Sequence, residues 1–254
     1  MTRHRAKTGS LGATVLSVLL AASCSGGSGE PDAQSPTADP DSPPPAVRIL
    51  ADCHEERCEG QLLTGTYRSA FFEPTIDFEI ASPGWTWLYA GNFAMLADPS
   101  HEDLYAADGI YFLRDPAIAS QDCEETEEPG VGRSVRDLVA WLESAPGLDV
   151  SDPLPVTVGG LEGMQLDIEL DPTWKRTCFF SEGLPAVPLI FNGRAIGGYN
   201  WTALPDQTMR WFVLGSEDGV IIVDVEDGPG GVSREDLFQT GTEIVDTLAF
   251  SPPS

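Results

Sequence analysis

Basic residues and histidine are scarce in this sequence. Lysine and arginine together number 14 against 40 aspartates and glutamates, so the formal net charge is −26, and the chain has three histidines. Proteins that bind nucleic acid neutralise phosphates with clustered lysine and arginine, so this composition excludes nucleic acid as a partner. The same charge argues against electrostatic attachment to anionic lipid head groups. Basic partners stay compatible with it, although such a charge more often keeps a protein soluble.

The scarcity of histidine also argues against the commonest hydrolase mechanism. His4 lies in the N-terminal segment, whereas His54 and His101 stand among polar and charged residues. A Gly-x-Ser-x-Gly nucleophile turn is absent from the chain, and a Ser-His-Asp triad needs both a nucleophile and a histidine base. We therefore expect no catalytic residue of this kind. A hydrolase that uses a pair of acidic residues leaves no short motif and remains the alternative.

The N-terminal apolar run has the pattern of an export signal. Three basic residues within the first seven positions precede the apolar residues 11–22, a run too short for a transmembrane helix. The sequence Leu20-Ala21-Ala22-Ser23-Cys24 resembles the junction of bacterial lipoproteins, with leucine one position further from the cysteine than usual. We predict a signal peptide over residues 1–23 and a lipid, such as palmitate, on Cys24. An ordinary secretory signal is the alternative.

Aromatic residues are missing from the segment behind this junction. Residues 25–46 contain six prolines and are otherwise mostly serine, glycine, aspartate and alanine. Such a segment cannot bury enough apolar surface to offset its ordering entropy. We predict that residues 24–47 comprise the lipidated cysteine and a disordered tether, because a tether needs an anchor at its far end. The protein is then expected on the extracytoplasmic face of the cell membrane. Cleavage removes three basic residues and no acidic one, which lowers the net charge from −26 to −29.

The mature chain contains four further cysteines, Cys53, Cys58, Cys123 and Cys178. An even number in an exported chain indicates two disulfides, for which three pairings exist. We favour Cys53–Cys58 with Cys123–Cys178, because the first two lie in one short segment. A zinc site in residues 53–58 is disfavoured because no second pair of ligands follows. We therefore expect no metal and no cofactor.

Apolar alternation and helical periodicity predict an α+β domain over residues 48–254. Strands are expected at residues 76–80, 92–97, 110–113, 156–158, 164–170, 209–214 and 220–225. The last four form two hairpins, with turns at residues 159–163 and 215–219. Helices are expected after the caps Ser134 and Ser233, where apolar residues recur every three or four positions. Such elements form an antiparallel β-sheet with helices packed on it.

Several stretches resemble the PsbP-like α/β/α fold. A strand that runs into Pro83-Gly84-Trp85, a middle helix, late hairpins and a last helix followed by Thr247-Leu248-Ala249-Phe250 carry the resemblance. The fold occurs in the extrinsic subunit of photosystem II and in cell-envelope lipoproteins of high-GC Gram-positive bacteria, whose exported proteins are similar to residues 139–148 and 155–161. The resemblance covers residues 66–250. It implies an α/β/α sandwich and an accessory or binding role, although loops that bear disulfides depart from the family.

Three further stretches contain residue types that occur at binding sites. Trp85 and Trp87 lie on one face of a predicted strand, where they form either a platform for stacking sugars or part of the core. The acidic residues 224–228 lack the spacing of a calcium loop, so we interpret them as a solvated strand end. Residues 193–198 lack the phosphate-loop lysine and are interpreted as a turn.

These observations predict a non-catalytic accessory or binding protein of the cell envelope. One face of the sheet is expected to bind an envelope protein, a glycan or a lipid. The alternative is an extracellular hydrolase with a pair of acidic residues. Two close carboxylates in a cleft favour the enzyme, whereas exposed aromatic residues on a sheet face favour binding.

Overall fold

The computed structural model describes residues 46–50, 60–69, 72–90, 93–97, 108–124, 126–191, 200–227 and 233–251. All of them belong to one unit, Pro44–Ser254. Several predicted features lie outside the described residues, namely the signal peptide, Cys24, most of the tether, Cys53, Cys58, His54, His101 and residues 193–198.

The described part of the chain forms sixteen strands and two helices. They are β1 (Arg48–Ile49), β2 (Gly60–Gln61), β3 (Gly65–Ser69), β4 (Thr75–Ile80), β5 (Thr86–Ala90), β6 (Phe93–Ala97), β7 (Gly109–Arg114), β8 (Ala117–Ile118), α1 (Val135–Ser144), β9 (Leu148–Val150), β10 (Leu154–Val158), β11 (Leu161–Leu170), β12 (Val187–Phe191), β13 (Asn200–Ala203), β14 (Thr208–Ser216), β15 (Gly219–Asp227), α2 (Arg234–Val245) and β16 (Ala249–Ser251).

The strands form three sheets. A nine-stranded sheet has the order β10-β11-β14-β15-β7-β6-β5-β2, with β9 paired to β11. A four-stranded sheet has the order β1-β3-β4-β16, and a three-stranded sheet, which we call the cap sheet, has the order β13-β12-β8. Among the described strands, β1 and β3 are the one parallel pair. The prediction of an α+β fold with antiparallel sheets and packed helices is confirmed.

The two central strands, β14 and β15, are buried on both faces. Alternate residues of a strand point to opposite faces of its sheet. One face, which we call the α2 face, packs against α2 and the four-stranded sheet through Phe212, Leu214, Ile221, Val223 and Val225. The other face, the α1 face, packs against α1 and the cap sheet through Met209, Trp211, Val213, Val220 and Ile222. The hairpin therefore contributes to two cores.

Both helices begin at the predicted caps. The Oγ of Ser134 accepts the backbone N–H of Asp137 at 3.2 Å, and the side chain of Asp137 completes a capping box. The Oγ of Ser233 accepts the backbone N–H of Asp236 at 3.2 Å. Gly241 of α2 is buried, as expected of a position that needs close packing.

The second hairpin corrects two predictions. β14 and β15 pair up to Ser216 and Gly219, so the turn has two residues rather than five. β15 continues to Asp227, and Asp224 is 0 % exposed. The interpretation of residues 224–228 as a solvated strand end is therefore wrong, because this strand is central in its sheet and is covered on both faces.

The tryptophans of the candidate binding platform belong to the core. Trp85 and Trp87 are 4 % and 3 % exposed, and the ring of Trp87 stacks on Phe78 with 5.5 Å between centroids. A sugar cannot reach either ring. The prediction of a stacking platform is therefore wrong, and the two tryptophans are part of the core. The expectation of binding through a sheet face needs the same correction at the central strands, since both of their faces are covered.

One of the two favoured disulfides lies within the described residues. Cys123 and Cys178 are bonded, with 5.5 Å between their Cα atoms, which confirms this pairing. The bond joins the loop after β8 to the loop before β12. The pairing of Cys53 with Cys58 stays a prediction. Neither helix that the structure describes has the length and apolarity that a membrane crossing requires.

Candidate functional site

A pair of acidic side chains lies inside the fold, on the α1 face of the central strand β15. Asp224 and Glu226 are two positions apart and therefore point to the same face. Asp224 pairs across the sheet with Trp211 of β14 and Tyr111 of β7. Glu226 pairs with Gly109, whose missing side chain leaves room beside the carboxyl group. The strand register thus places two carboxyls next to aromatic rings rather than in water.

The indole of Trp201 in the cap sheet joins these two carboxyls. Its Nε1–H donates to Oδ2 of Asp224 at 2.8 Å and to Oε2 of Glu226 at 3.0 Å. Because an indole has a single N–H, the two acceptors share one hydrogen atom. Trp201 also meets the ring of Tyr111 edge to face, with 4.8 Å between centroids. One aromatic side chain therefore holds the cap sheet onto the acid pair.

The amide of Gln207 supplies a further donor. Its Oε1 accepts the backbone N–H of Leu204 at 3.2 Å. This bond fixes the amide so that its Nε2 donates to Oε1 of Glu226. Both carboxyl oxygens of Glu226 consequently accept hydrogen bonds from uncharged donors.

Burial shifts the proton affinity of both acids upward. Burial, and then the negative charge of Glu226, raises the pKa of Asp224 well above its usual value. Burial also raises the pKa of Glu226 to about 7, although the hydrogen bonds from Asp224, Trp201 and Gln207 lower it. Removal from water disfavours the charged form of a carboxyl, and a neighbouring carboxylate adds to this effect. The pair therefore retains at least one proton at neutral pH.

Tyr111 belongs to the same cluster. Burial raises the pKa of its phenol well above the usual value, and the charges of Glu226, Asp224 and Asp108 raise it further. The phenol therefore stays protonated at neutral pH. Among the residues that the structure describes, no three His, Cys, Asp or Glu side chains form a group that can hold a metal ion.

The α2 face of the same sheet carries a separate network of charges. Asp227 follows Glu226 but accepts Nε–H of Arg234 at 3.0 Å and the backbone N–H of Thr208 at 2.5 Å. Nearby, Arg210 binds both carboxylate oxygens of Asp167, at 2.8 and 2.9 Å. The guanidinium groups of Arg210 and Arg234 line an open groove of about 560 Å³ along α2. Since each of these arginines already binds a carboxylate of the chain, the groove does not present free positive charge.

An apolar tip is the most exposed hydrophobic feature among the described residues. Phe179 and Leu184 are 74 % and 50 % exposed, and both lie in the loop that precedes β12. We call residues 176–186 the tip loop. Its other phenylalanine, Phe180, packs inward against the disulfide of Cys123 and Cys178. The loop therefore has one aromatic ring in its base and one in water.

The tip loop is held by several bonds. The Oγ of the buried Ser181 accepts the backbone N–H of Cys178 at 3.1 Å and donates to the carbonyl of Leu184 at 2.7 Å. Glu182 and Gly183, with φ angles of 51° and 86°, form the turn between Ser181 and Leu184. Together with the disulfide, these bonds fix where the ring of Phe179 points.

Sequence reasoning placed some of these residues and missed others. The disulfide was predicted, but the residues that it exposes were not, because an isolated phenylalanine carries no pattern. The sequence analysis interpreted Asp224 and Glu226 as part of a solvent-exposed strand end. The signal that identifies them is the continuous apolar run at residues 220–223, since a strand that is apolar at every position is buried on both faces. A carboxyl at the next positions of such a strand is buried together with it.

Comparison with known proteins adds little to this description. No family model matches the sequence, and no curated protein matches it. Among solved structures, the solution structure of cyanobacterial PsbP (CyanoP) from Synechocystis sp. PCC 6803 is similar, with a TM-score of 0.30 and 8% sequence identity. The match covers 66% of this chain and 87% of that chain. A likeness of this degree carries no argument about activity.

Proposed function

We propose that this protein is a non-catalytic lipoprotein of the cell envelope, anchored through Cys24 on the extracytoplasmic face, which binds a partner through its tip loop. The single observation that carries the binding role is the exposed ring of Phe179 on a loop closed by a disulfide. The anchor is supported by the basic start, the junction before Cys24 and the proline-rich tether.

The finer description of the fold belongs to the same proposal. We infer a PsbP-like α/β/α sandwich, as in the envelope lipoproteins that the sequence resembles. Its support is that α1 and α2 pack into different cores, on opposite faces of β14 and β15. The resemblance to folds of this kind implies an accessory or binding role. A loop that presents apolar surface agrees with such a role.

Rigidity makes Phe179 suited to binding. Ordering a loop at an interface costs free energy, so a loop that is already fixed binds with a smaller entropic penalty. Aromatic side chains are frequent among the residues that dominate binding energy. An acidic partner is disfavoured, because Glu182 lies in the tip loop and the whole chain is strongly negative. The expected partner is an envelope protein or glycan with an apolar pocket and no excess of negative charge.

A hydrolase with a pair of acidic residues is the second candidate. The observation in its favour is the pair Asp224 and Glu226, whose pKa values are both raised. Such shifts are typical of general acids. Against it, Asp224 is fully buried, and both acids already bind Trp201. An assay of the purified protein against peptidoglycan, polysaccharide, ester and peptide substrates distinguishes the two candidates. Turnover that is lost in a folded Glu226→Gln variant would replace the binding proposal.

Crosslinking in living cells tests the tip. A photo-crosslinking phenylalanine analogue at position 179 is expected to form an adduct with an envelope component. The matched control is the same analogue at position 154, because Leu154 is 56 % exposed but lies on the edge strand β10. Equal adducts from both positions, or none from position 179, contradict binding through the tip.

Fractionation tests the anchor independently. Cys24→Ser is expected to move the protein from the membrane fraction to the medium and to abolish incorporation of a labelled fatty acid. A Cys24→Ser protein that stays with membranes, together with a wild type that takes up no label, contradicts the lipoprotein proposal and leaves the tip proposal in place.

A further inference from the structure

The cap sheet meets the central sheet through an unusual polar contact. Most of the surface between β12, β13 and the α1 face is apolar. Within it, the single N–H of Trp201 donates to both Asp224 and Glu226. Gln207, in the connection between β13 and β14, donates to the same Glu226. Both ends of this short segment are therefore attached to one pair of acids.

We propose that Asp224, Glu226 and Trp201 form a proton-dependent clasp, which holds the cap sheet more tightly when both carboxyls are protonated than when one is ionised. The geometry supplies the reason. The two carboxyls are close enough to share one indole hydrogen, and Asp224 has no access to water. Asp224 is fully buried and Glu226 is partly buried, so a negative charge at this position loses hydration, which it regains in full when the cap sheet moves away.

Other polar and titratable groups lie close to the clasp, and they act in both directions. Tyr111 and Asp108 face it from β7 and the residue before that strand, and Trp211 faces it from β14. Asp227, in the pair's own strand, lies on the opposite face of the sheet. The negative charge of Asp227 raises the pKa of Glu226, and that of Asp108 raises the pKa of Tyr111. The phenol of Tyr111 and the indole of Trp211 are uncharged. The hydrogen bonds that Trp201 and Gln207 donate favour the ionised form of Glu226, but the opposing effect of burial is larger.

The position of the clasp links it to the tip loop. β12 begins immediately after the tip loop at Val187, and β8 ends shortly before Cys123, which holds the other side of the loop. A looser cap sheet therefore gives the tip a less rigid base. This consequence rests on the proposed binding function, whereas the clasp itself does not.

The direction of the response follows from proton linkage. Burial raises the pKa of Glu226 from its usual 4.5 to about 7 in the closed arrangement. An open arrangement, with the carboxyl in water, returns it toward the usual value. The closed arrangement therefore binds the proton more strongly, and the fraction of open molecules increases as the pH rises from 4.5 to 7. Above that range the fraction no longer changes through this group.

Hydrogen exchange of the full chain tests the clasp. After correction for the intrinsic exchange rate, the opening of residues 200–203 is expected to increase by about tenfold or more between pH 5 and pH 8, since each pKa unit corresponds to a factor of ten. Strand β4, which lies in the four-stranded sheet and packs in the other core, is expected to show no such increase. Glu226→Gln removes the ionisable group and is expected to make the opening independent of pH.

Two further variants complete the design. Glu217→Gln changes a glutamate in the exposed turn of the same hairpin and is expected to behave as the wild type. Trp201→Phe removes the shared donor and is expected to expose β13 to exchange at both pH values. Should Glu226→Gln fail to fold, Trp201→Phe and the wild type still decide. Equal corrected opening of the wild type at both pH values, or a β13 strand that stays as protected in Trp201→Phe as in the wild type, overturns the clasp whether or not the tip binds a partner.

Discussion

Glu226 and Asp227 are consecutive in the sequence but lie on opposite faces of the nine-stranded sheet. The carboxyl of Glu226 accepts the indole N–H of Trp201 at 3.0 Å on the α1 face. The carboxylate of Asp227 accepts Nε–H of Arg234 at 3.0 Å on the α2 face. One acid is thus surrounded by uncharged donors and the other is paired with a cation. This difference in partners explains why burial raises the pKa of Glu226 so strongly.

The first prediction concerns global stability and pH. Because the pKa of Glu226 is raised from 4.5 to about 7 on folding, its protonated form stabilises the protein below pH 4.5 and this contribution is lost as the pH rises to 7. The loss amounts to about 3 kcal/mol at 1.36 kcal/mol per pKa unit. Glu226→Gln removes this dependence, so urea titrations of wild type and variant are expected to differ in their pH slope between pH 4.5 and 7.

Glu217→Gln is the control for that measurement, since it removes one negative charge from the exposed turn of the same hairpin. Its unfolding free energy is expected to follow the wild type at every pH. Parallel pH curves for wild type and Glu226→Gln mean that the carboxyl titrates normally in the folded protein, contrary to the prediction.

The second prediction concerns the disulfide between Cys123 and Cys178. The two residues are 55 positions apart, and a loop of this size contributes about 4 kcal/mol in the chain-entropy description. Replacing both cysteines by serine is expected to lower the unfolding free energy by roughly that amount. A second readout is proteolysis, in which the tip loop of the variant is cut much faster than β11. A loss below about 1 kcal/mol shows that the rest of the loop packing suffices.

The third prediction concerns the cap of α1. The Oγ of Ser134 satisfies the backbone N–H of Asp137, so Ser134→Ala is expected to cost about 1 kcal/mol in a thermal or urea unfolding experiment. Ser144, an exposed residue at the other end of the helix, donates its hydroxyl to the carbonyls of Ala140 and Trp141 and satisfies no backbone N–H. Ser144→Ala is therefore a matched control with little expected effect. Equal losses for the two variants contradict a specific role of the cap.

The elements that were predicted correctly depend on local signals. The caps Ser134 and Ser233 are each specified by residues a few positions apart, and the structure places them as expected. The turn of the first hairpin is Gly159-Gly160 alone, shorter than the predicted residues 159–163. The pairing of β15 with β7 joins segments about a hundred residues apart, and no local pattern specifies it. The environment of Asp224 is decided by that pairing. This is why its burial, and with it the candidate site, was not predicted.

The exposed residues were unpredictable for a related reason. Trp85 and Phe179 are both aromatic residues next to turns, yet the first is in the core and the second is in water. Trp85 packs in the core that includes residues of the four-stranded sheet. In the tip loop, by contrast, Phe180 packs against the disulfide and Phe179 does not. Whether such an aromatic side chain is buried depends on which distant segments pack beside it. The alternation of apolar and polar residues within a short segment does not contain this information.

The last prediction concerns the contact between α2 and β15. A Cβ added to Gly241 would stand 2.6 Å from Cγ1 of Val225. Valine is branched at Cβ and has few rotamers, so it cannot move aside easily. The better helix propensity of alanine offers about 1 kcal/mol, whereas overpacking costs about 1–3 kcal/mol. Gly241→Ala is therefore expected to destabilise the protein by about 1 kcal/mol in urea unfolding.

A double-mutant cycle with Val225→Ala separates this close contact from other effects of the substitution. Val225→Ala alone leaves a cavity and destabilises the protein, but the alanine methyl at position 241 then occupies part of that space. The double variant is expected to be more stable than the sum of the two single losses by about 1 kcal/mol or more, the coupling typical of residues in contact. Gln239→Ala on the exposed side of α2 is the control, with no expected coupling to Val225→Ala. Additive losses in the Gly241 cycle mean that α2 does not pack on β15 through this glycine.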